Sequence, residues 1–375
     1  MDSLRIIVSV LTVIMALLTL LPLSKNQRWW VRVWDFPRLQ MATLSLLFLL
    51  TELWVLPFGG PLATLIILLS LACMLYQAWW ILPYTRLYPV QVKKTVPNGH
   101  PHIKIINCNV LMTNRNSAKL LEIVEKNRPD ILVLLETDLW WEQQMSPLEG
   151  DYPHSIKCPL DNLYGMHVYS RLPLFDAKIQ YLVAEGIPSM HFRAELTSGH
   201  QVVLHCLHPM PPSPTEDDES TNRDAELVAV GHTASRASYP TIVTGDLNDV
   251  AWSRTTRLFM KVSGLLDPRR GRGMYNTFHA SYPFLRWPLD HVFHSKEFTL
   301  IDLQRLEPMG SDHFPIMVEL ALTPEQGKDQ EKLQIDSGDI QEAREKMDNA
   351  GVKSRDVHHA EHDSAQLRAD FGLPS

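Results

Sequence analysis

The chain has 375 residues, of which 45% are hydrophobic, and a formal net charge of −7 at pH 7. This length and hydrophobic content allow one large domain with a full core and additional segments. Residues 323–375 carry twelve acidic against seven basic side chains, so the rest of the chain is nearly neutral. Because phosphate neutralisation dominates affinity for long nucleic acids, this balance disfavours a protein whose main task is to bind them.

Residues 1–82 are predicted to form a transmembrane anchor. They contain three apolar segments close to the roughly 20 residues that a membrane-spanning helix requires, at residues 4–23, 39–56 and 62–82. The sequence Pro-Phe-Gly-Gly-Pro at residues 57–61 favours a tight turn, so the second and third segments are predicted to form a helical hairpin. Glu52 is costly in mid-membrane and is expected to face a neighbouring helix or lie near an interface. A buried helical bundle is the alternative for this region.

Basic residues predict the orientation of these segments. The first loop, residues 24–38, carries four basic residues against one acid, and the region after the third segment carries Arg86, Lys93 and Lys94. Loops rich in lysine and arginine favour the cytoplasmic side of a membrane. With three spans, this places the amino terminus outside the cell and the following domain inside.

The remaining chain is predicted to consist of a linker, a domain and a tail. Residues 83–101 contain four prolines among polar residues and are predicted to be the linker. Over residues 102–322, strand-like runs alternate with helical periodicity, which predicts a layered α/β domain. Strands are predicted at residues 103–110, 131–135, 166–170, 191–196, 201–207, 241–244, 291–294 and 316–322, and helices at residues 118–127 and 222–236. The polar tail, residues 323–375, is predicted to be disordered or loosely helical.

Two polar strings lie beside apolar, β-prone runs. Thr-Gly-Asp-Leu-Asn-Asp at residues 244–249 ends one such run, and Gly-Ser-Asp-His-Phe-Pro at residues 310–315 leads into another. This arrangement presents carboxylates at a sheet edge, and hydrolysis of a phosphate ester needs a metal, a base and hydrogen-bond donors. Asp246 and Asn248 are two residues apart, so at an extended strand end their side chains point the same way. An Asx turn is the structural alternative for this pair.

Further polar motifs follow the predicted strands along the domain. They are Asn109, Glu136, Tyr164-Gly165, Ser170-Arg171, His208, Gly245-Asp246-Leu247-Asn248, Leu289-Asp290 and Ser311-Asp312-His313. In this order of motifs, residues 102–322 resemble the endonuclease/exonuclease/phosphatase superfamily, the DNase I-like fold of pancreatic-type deoxyribonucleases, abasic-site endonucleases, inositol polyphosphate phosphatases and neutral sphingomyelinases. The resemblance implies a four-layer α/β/β/α sandwich whose active site lies at one end of two facing β-sheets.

The resemblance also implies a divalent metal, with Asn109, Glu136 and Asp312 as its ligands. Glu136 follows five apolar strand residues, where a buried carboxylate without a partner would be costly. A donor set of two carboxylates and an amide suits Mg²⁺ or Mn²⁺ better than zinc. For Asn109 taken by itself, a turn-forming residue is the alternative.

The same resemblance implies catalytic roles for His208, Asp246, Asn248, Asp290 and His313. His313 is the candidate general base, because imidazole accepts a proton near neutral pH, and Asp290 would fix its tautomer. Asp246 is the alternative base, and it and Asn248 would between them orient the attacking water and donate to a phosphoryl oxygen. His208 would donate to the scissile phosphate or its leaving group, in preference to His205, which lies three positions earlier on the predicted strand.

These features together predict a membrane-anchored, Mg²⁺-dependent phosphoesterase that hydrolyses phosphate ester or pyrophosphate bonds by metal-assisted attack of water. Its expected partners are the lipid bilayer and a phosphorylated small-molecule or lipid substrate. A metal-dependent nuclease is one alternative, disfavoured by the missing basic patch, and a noncatalytic membrane scaffold with this fold is another. The sequence has no Walker A, Gly-x-Ser-x-Gly or dinucleotide-binding glycine pattern, which excludes nucleotide motors, serine hydrolases and dehydrogenases.

The expected location is the bacterial plasma membrane, with the catalytic domain on either side of it. Three spans before such a domain resemble bacterial membrane phosphatases associated with glycopeptide resistance, which act on lipid-linked pyrophosphate outside the cell. The basic residues described above favour the cytoplasm instead, and both orientations are kept as alternatives.

Overall fold

The computed structural model of the chain describes residues 2–57, 59–96 and 99–358. Its first region contains the helices α1 (Asp2–Leu20), α2 (Trp29–Arg32), α3 (Arg38–Val55) and α4 (Pro61–Ile81). Among the described residues, three segments are long and apolar enough to cross a membrane, counting the 3₁₀ turns that follow α1 and α4: Asp2–Ser24, Arg38–Val55 and Pro61–Tyr84. Phe58, in the predicted turn between α3 and α4, lies outside the described residues.

Polar side chains connect α1, α3 and α4. Glu52 of α3 is fully buried and accepts hydrogen bonds from Ser70 of α4 at 2.9 Å and from Thr12 of α1. Gln77 of α4 donates to Thr19 of α1 at 3.1 Å. A carboxyl group among apolar helices needs such partners, because lipid offers none. The expectation that Glu52 faces neighbouring helices is confirmed.

Much of the predicted linker packs against the domain that follows it. Val92 is fully buried in the domain core, and the hydroxyl of Tyr84 donates to the backbone carbonyl of Ala251 at 2.5 Å. The N–H of Thr95 donates to the carbonyl of Leu300 at 2.9 Å. The prolines suggest a linker, but burial of Tyr84 and Val92 holds the segment on the domain. Positions 97 and 98 of the predicted linker lie outside the described residues.

The domain contains the predicted strands and helices, with further elements between them. Its strands are β1 (His102–Asn109), β2 (Ile131–Leu135), β3 (His154–Cys158), β4 (Met166–Ser170), β5 (Leu174–Gln180), β6 (Ser189–Glu195), β7 (Gln201–Leu207), β8 (Thr241–Asp246), β9 (Asp290–His294), β10 (Phe298–Arg305) and β11 (Ile316–Leu322). Its helices are α5 (Ser117–Asn127), α6 (Leu139–Gln144), α7 (Thr221–Ser235), α8 (Arg254–Ser263), α9 (Pro324–Gly327) and α10 (Ser337–Ala350). The strands β3, β5 and β10 are not among those predicted.

Two mixed β-sheets face each other in this domain. One has the strand order β10-β11-β1-β2-β4-β3 and the other the order β5-β6-β7-β8-β9. Apolar side chains from both sheets, such as Val133 of β2 and Leu204 of β7, share one core between them. Helices α5 and α6 cover the outer face of the first sheet, and α7 and α8 cover the outer face of the second. The domain is therefore the four-layer α/β/β/α sandwich that the sequence predicts.

Parallel pairing brings the carboxyl ends of four strands to one end of the sandwich. Strand β1 runs parallel to β2, and β7 runs parallel to β8. Gly245, in β8, has a φ of +147°, and an added Cβ would lie 1.8 Å from the carbonyl oxygen of Leu207 in β7. Only glycine fits this conformation and this close approach, so Gly245 sets the path of the chain into Asp246.

Part of the tail that is predicted to be disordered or loosely helical forms a packed helix. Helix α10 lies against α7 and α8, with Ala343 fully buried. The ammonium group of Lys346 lies 2.6 Å from Asp224 of α7, and Glu342 pairs with Arg254 of α8. These partly buried ion pairs give the segment a packing surface that its polar composition does not reveal. Residues 359–375 of the predicted tail lie outside the described residues.

Candidate active site

The eight predicted site residues converge at the end of the sandwich where β1, β2, β7 and β8 finish. They are Asn109 at the end of β1, Glu136 after β2, His208 after β7, Asp246 at the end of β8, Asn248 two residues later, Asp290 at the start of β9, and Asp312 and His313 in the segment before β11. Strand β9 runs antiparallel to β8, so its first residue pairs with the last residue of β8. Strand direction thus assembles one site from segments far apart in sequence.

Asn109 connects the two carboxylates nearest to it. Its side-chain N–H group donates to Oε1 of Glu136 at 2.7 Å and to Oδ2 of Asp246 at 3.2 Å. Its Oδ1 accepts from the backbone N–H of Leu111 at 3.0 Å. Because an amide presents both a donor and an acceptor, a half-turn of this side chain would turn its oxygen towards Glu136, where it could serve as a ligand to a cation.

Burial disfavours the charged form of Glu136, and the positive charge of His313 offsets only part of that cost. Glu136 is half-buried and has a positive φ of 60° directly after β2, a conformation uncommon for a residue other than glycine. Burial raises the pKa of its carboxyl to about 7; the hydrogen bond from Asn109 opposes this shift and the charge of Asp312 adds to it. A cation beside Glu136 would oppose this shift, because a nearby positive charge favours the ionised carboxylate.

Asp246, His313 and Asp290 form a buried line of acid, imidazole and acid. The Nδ1 atom of His313 lies 2.7 Å from Oδ2 of Asp290, and its Nε2 atom lies 3.4 Å from Oδ2 of Asp246. The Oδ1 atom of Asp246 accepts from the backbone N–H of Asn248 at 2.9 Å. Each imidazole nitrogen therefore faces a carboxylate, an arrangement that favours the doubly protonated ring.

The pKa values within this line follow from the same contacts. Burial disfavours the charged imidazole, but Asp246 and Asp290 outweigh burial and raise the pKa of His313 to about 10. Burial alone would raise the pKa of Asp246, whereas His313 and His208 hold it below its usual value. The pair is therefore an ionised carboxylate against a charged imidazole at neutral pH.

His208 lies on the other side of Asp246. Its Nε2 atom is 4.0 Å from Oδ2 of Asp246, and burial lowers the pKa of the ring to about 4, so His208 is neutral at pH 7. Tyr164 packs on this ring with a centroid distance of 5.1 Å. His205 points to a different environment, with Nδ1 at 2.7 Å from Nδ1 of His191. Of His205 and His208, it is therefore His208 that lies beside the other predicted site residues.

Several residues that contact and support the site residues are not among the eight predicted site residues. Asn107 donates to Oδ1 of Asp290 at 2.9 Å, and the hydroxyl of Ser311 donates to the carbonyl of Asn109 at 2.7 Å. Phe278 places its ring 4.9 Å from the ring of His313. Asn107 lies two positions before Asn109 on β1, so strand alternation could have indicated it. Phe278 lies in a loop without any periodic pattern.

Two donor sets in the described residues could hold a divalent cation. Ligand atoms of Asp246, Asp290 and His313 all lie within 4.8 Å of one another. Both nitrogens of that imidazole already face carboxylates, so this set suits proton transfer. Glu136, Asp312 and the amide oxygen of Asn109 offer only oxygen ligands. The second set fits a hard divalent ion of the kind that prefers oxygen.

A protein-family model with the description "Endonuclease/Exonuclease/phosphatase family" matches residues 106–313. The match covers more than half of the chain and includes all eight predicted site residues. A comparison with curated proteins finds none that matches the chain.

Solved structures with similar folds include an endonuclease/exonuclease/phosphatase from Beutenbergia cavernae, at 17% identity over 60% of this chain and 72% of that one, with a TM-score of 0.49. The human Nocturnin catalytic domain with bound sulfate is 18% identical over 60% of this chain and 96% of that one, with a TM-score of 0.48. A D. rerio TDP2 humanized by 14 mutations is 17% identical over 58% of this chain and 98% of that one, also with a TM-score of 0.48.

Proposed function

Because this chain belongs to the endonuclease/exonuclease/phosphatase family and is a metal-dependent hydrolase of phosphoester bonds, we propose that it is a membrane-anchored enzyme that uses Mg²⁺ to hydrolyse a lipid-linked phosphate ester or pyrophosphate. The observation that carries the proposal is the Asn109 side chain, which donates to both Glu136 and Asp246. Through this contact Glu136, a carboxylate suited to a cation, lies next to the pair formed by Asp246 and His313. One phosphate group could reach both a cation at Glu136 and the Asp246 and His313 pair.

Glu136, Asp312 and the Asn109 amide oxygen would hold the cation in this proposal. When bound, Mg²⁺ would neutralise charge on the phosphate and favour ionisation of the attacking water. Mn²⁺ prefers similar oxygen ligands and is expected to substitute for Mg²⁺.

Asp246, the ionised member of its pair with His313, would accept the proton of the attacking water, and the charged imidazole of His313 would stabilise negative charge on the phosphate. Asp290 would act as a positioning residue, because its 2.7 Å contact fixes Nδ1 of His313 and leaves Nε2 on the side of Asp246. His208 is neutral and could donate from Nε2 to a phosphoryl oxygen or to the leaving group. The backbone N–H of Asn248 would hold Asp246 in place.

The three long apolar helices support the membrane part of the proposal. Each is long and apolar enough to cross a bilayer, and α4 leads into the domain through a segment that packs on it. An enzyme held at a membrane meets lipid-bound substrates at high local concentration, because both are confined to two dimensions. A lipid-linked phosphate or pyrophosphate is the substrate class that benefits most.

The experiment compares substrates with the full chain reconstituted in lipid nanodiscs. A polyprenyl pyrophosphate, a phospholipid, plasmid DNA and bis(4-nitrophenyl) phosphate are each supplied with Mg²⁺. We expect turnover of a lipid-linked substrate and of the activated diester, and loss of both with EDTA or with His313→Ala by at least about 10²-fold. Equal turnover with EDTA or with the variant would contradict the assigned site, and cleavage of plasmid DNA alone would favour a nuclease.

A further inference from the structure

A loop with an unusual concentration of exposed apolar side chains lies beside the candidate site. Within residues 279–287, here called the rim loop, Phe284 is 89% exposed, Tyr282 is 58% exposed and Leu285 is 50% exposed. Single exposed apolar residues are common on protein surfaces, but three within four consecutive positions form a patch. A loop that faced only water would gain nothing from this composition.

The rim loop contacts the end of an apolar helix. Gln40, in the first turn of α3, donates from its side chain to the backbone carbonyl of Phe284 at 2.8 Å. Directly before α3, the ring of Phe36 packs edge-on against Trp287 with a centroid distance of 5.8 Å. If α3 crosses a bilayer, its first turn lies at the level of the lipid head groups. The exposed side chains of the rim loop are then at that level as well.

The same loop also contacts the candidate site. The N–H of Ala280 donates to the backbone carbonyl of Asp312 at 2.7 Å. Trp287 stacks on Phe278 at a centroid distance of 6.4 Å, and Phe278 in turn packs at 4.9 Å from the ring of His313. One short segment therefore touches both the end of α3 and the groups assigned to catalysis.

Two arginines, one in the rim loop and one at the end of β10, could attract an anionic head group. The guanidinium carbons of Arg286 and Arg305 lie 5.0 Å and 4.4 Å from the centroid of the Phe314 ring, which follows His313. Among the described residues, neither arginine forms an ion pair with a carboxylate. Two like charges held close together without counter-ions favour a bound phosphate.

We propose that the rim loop inserts Tyr282, Phe284 and Leu285 among the lipid head groups beside α3 and leads the phosphate of a bilayer-resident substrate to His313. The proposal rests on the function proposed above, and it adds the route by which the lipid substrate enters the site. A lipid surface is the occupant that the contacts favour, because the patch is continuous with an apolar helix through Gln40 and Phe36. Docking of another protein on the same patch is the competing outcome.

Insertion is tested without using activity. The four native cysteines are buried, so an environment-sensitive thiol dye can be attached selectively to Phe284→Cys in the full chain in nanodiscs. Phe175→Cys is the matched control, because Phe175 is 39% exposed and lies on β5, at the opposite edge of its sheet from β9. We expect spin-labelled lipids to quench the dye at position 284 and not at position 175. A dye at position 284 with the spectrum of water and no quenching would overturn the proposal.

A second measurement connects the loop to substrate entry. The measured quantity is turnover of a lipid-linked substrate divided by turnover of bis(4-nitrophenyl) phosphate. The double variant Phe284→Ser with Leu285→Ser is expected to lower this ratio by about tenfold, because a modest apolar contact with lipid is lost. Phe175→Ser should leave this ratio unchanged. An unchanged ratio in the double variant would contradict the proposal. A wild-type chain that turns over no lipid substrate would instead contradict the proposed function, and the quenching experiment would still test insertion of the rim loop.

Discussion

The Asn109 side chain occupies the position on which the proposed chemistry depends. Its amide donates to a half-buried carboxylate on one side and a fully buried carboxylate on the other. Without it, Glu136 and Asp246 would lose the donor that they share. A single uncharged residue thus sets the spacing between the cation site and the acid and imidazole pair.

Asn109→Ala is expected to raise the Mg²⁺ concentration needed for half-maximal activity by about tenfold or more, because an orienting hydrogen bond and a ligand oxygen are both lost. The measurement is a Mg²⁺ titration of diester turnover. Asn349→Ala, at an exposed position of α10, is the control and should leave the titration unchanged. An unaltered Mg²⁺ requirement in Asn109→Ala would contradict the assigned position of the cation.

Residues at strand ends are visible in the sequence, and residues in irregular loops are not. Asn109, Glu136 and Asp246 each adjoin an apolar run, so the change from apolar to polar reveals them. Phe278 and Asn107 contact the same site; strand alternation could have indicated Asn107, but a phenylalanine in a loop breaks no pattern. Sequence therefore indicates the polar groups that end a strand, while the residues that support them depend on the tertiary fold.

Glu226 should make the stability of the domain depend on pH. It is buried in α7 with no hydrogen-bond partner for either carboxylate oxygen among the described residues, and burial raises its pKa to about 8. The unfolded chain loses this proton near the ordinary value of 4.5, so the free energy of unfolding should fall as pH rises from there to about 8. Glu226→Gln is expected to remove this loss and to add about 1 to 3 kcal/mol at pH 8.

Unfolding midpoints measured from pH 5 to pH 9, in wild type and Glu226→Gln, check this effect. The two curves should converge at the acidic end and separate towards pH 8. Parallel curves would show that Glu226 is ionised or partnered in the folded protein.

At the scale of the elements, the strands that sequence patterns miss lie at sheet edges. Strands β3 and β10 bound the first sheet, and β5 bounds the second. Most of β5 is exposed or half-buried, so its sequence lacks the continuous apolar run that indicates β2, whose five residues are all buried. An edge strand is fixed by pairing with its neighbour more than by its own composition. The strands that local sequence predicts include the central ones and β9, an edge strand whose five residues are all buried and which carries Asp290.

Gly245→Ala tests the close approach of β7 and β8. The added methyl group would overlap the carbonyl of Leu207 at a φ that other residues rarely adopt, so we expect a loss of roughly 2 to 6 kcal/mol in the free energy of unfolding. Gly150→Ala is the control, since no atom lies within 4 Å of its added Cβ. Unfolding midpoints of the two variants are compared with wild type. Equal midpoints would mean that the strands can separate at Gly245 without cost.

On the scale of the whole molecule, the apolar helices and the domain share one packed region. Trp252 of the domain donates from its indole N–H to the carbonyl of Asp35 at 2.9 Å, and the N–H of Ser220 donates to the carbonyl of Gln27 at 2.8 Å. An apolar cluster joins Ile81 and Tyr84, at the end of the third segment, to Leu289 beside the site. The loop after α1 and the catalytic domain must therefore lie on the same side of any membrane that the helices cross.

Labelling with a membrane-impermeant maleimide tests this shared side. With the native cysteines buried, Lys25→Cys and Ser198→Cys should react from one side of a sealed vesicle and Gly60→Cys from the other. The side that carries Ser198→Cys also decides between the cytoplasmic and the external orientation of the domain. Reaction of Lys25→Cys and Gly60→Cys from the same side would contradict three spans.

The dependence of diester turnover on Mg²⁺ in Glu136→Gln tests the central claim most directly, because this change keeps the shape of the side chain and removes the charge that would bind the cation. The full-length wild-type chain should show saturable activation by Mg²⁺, and the variant should lose about 10²-fold or more of that turnover at every Mg²⁺ concentration. Wild-type turnover that needs no divalent cation, or a variant that matches wild type across the titration, would contradict the claim that these residues form a metal-dependent phosphoesterase site.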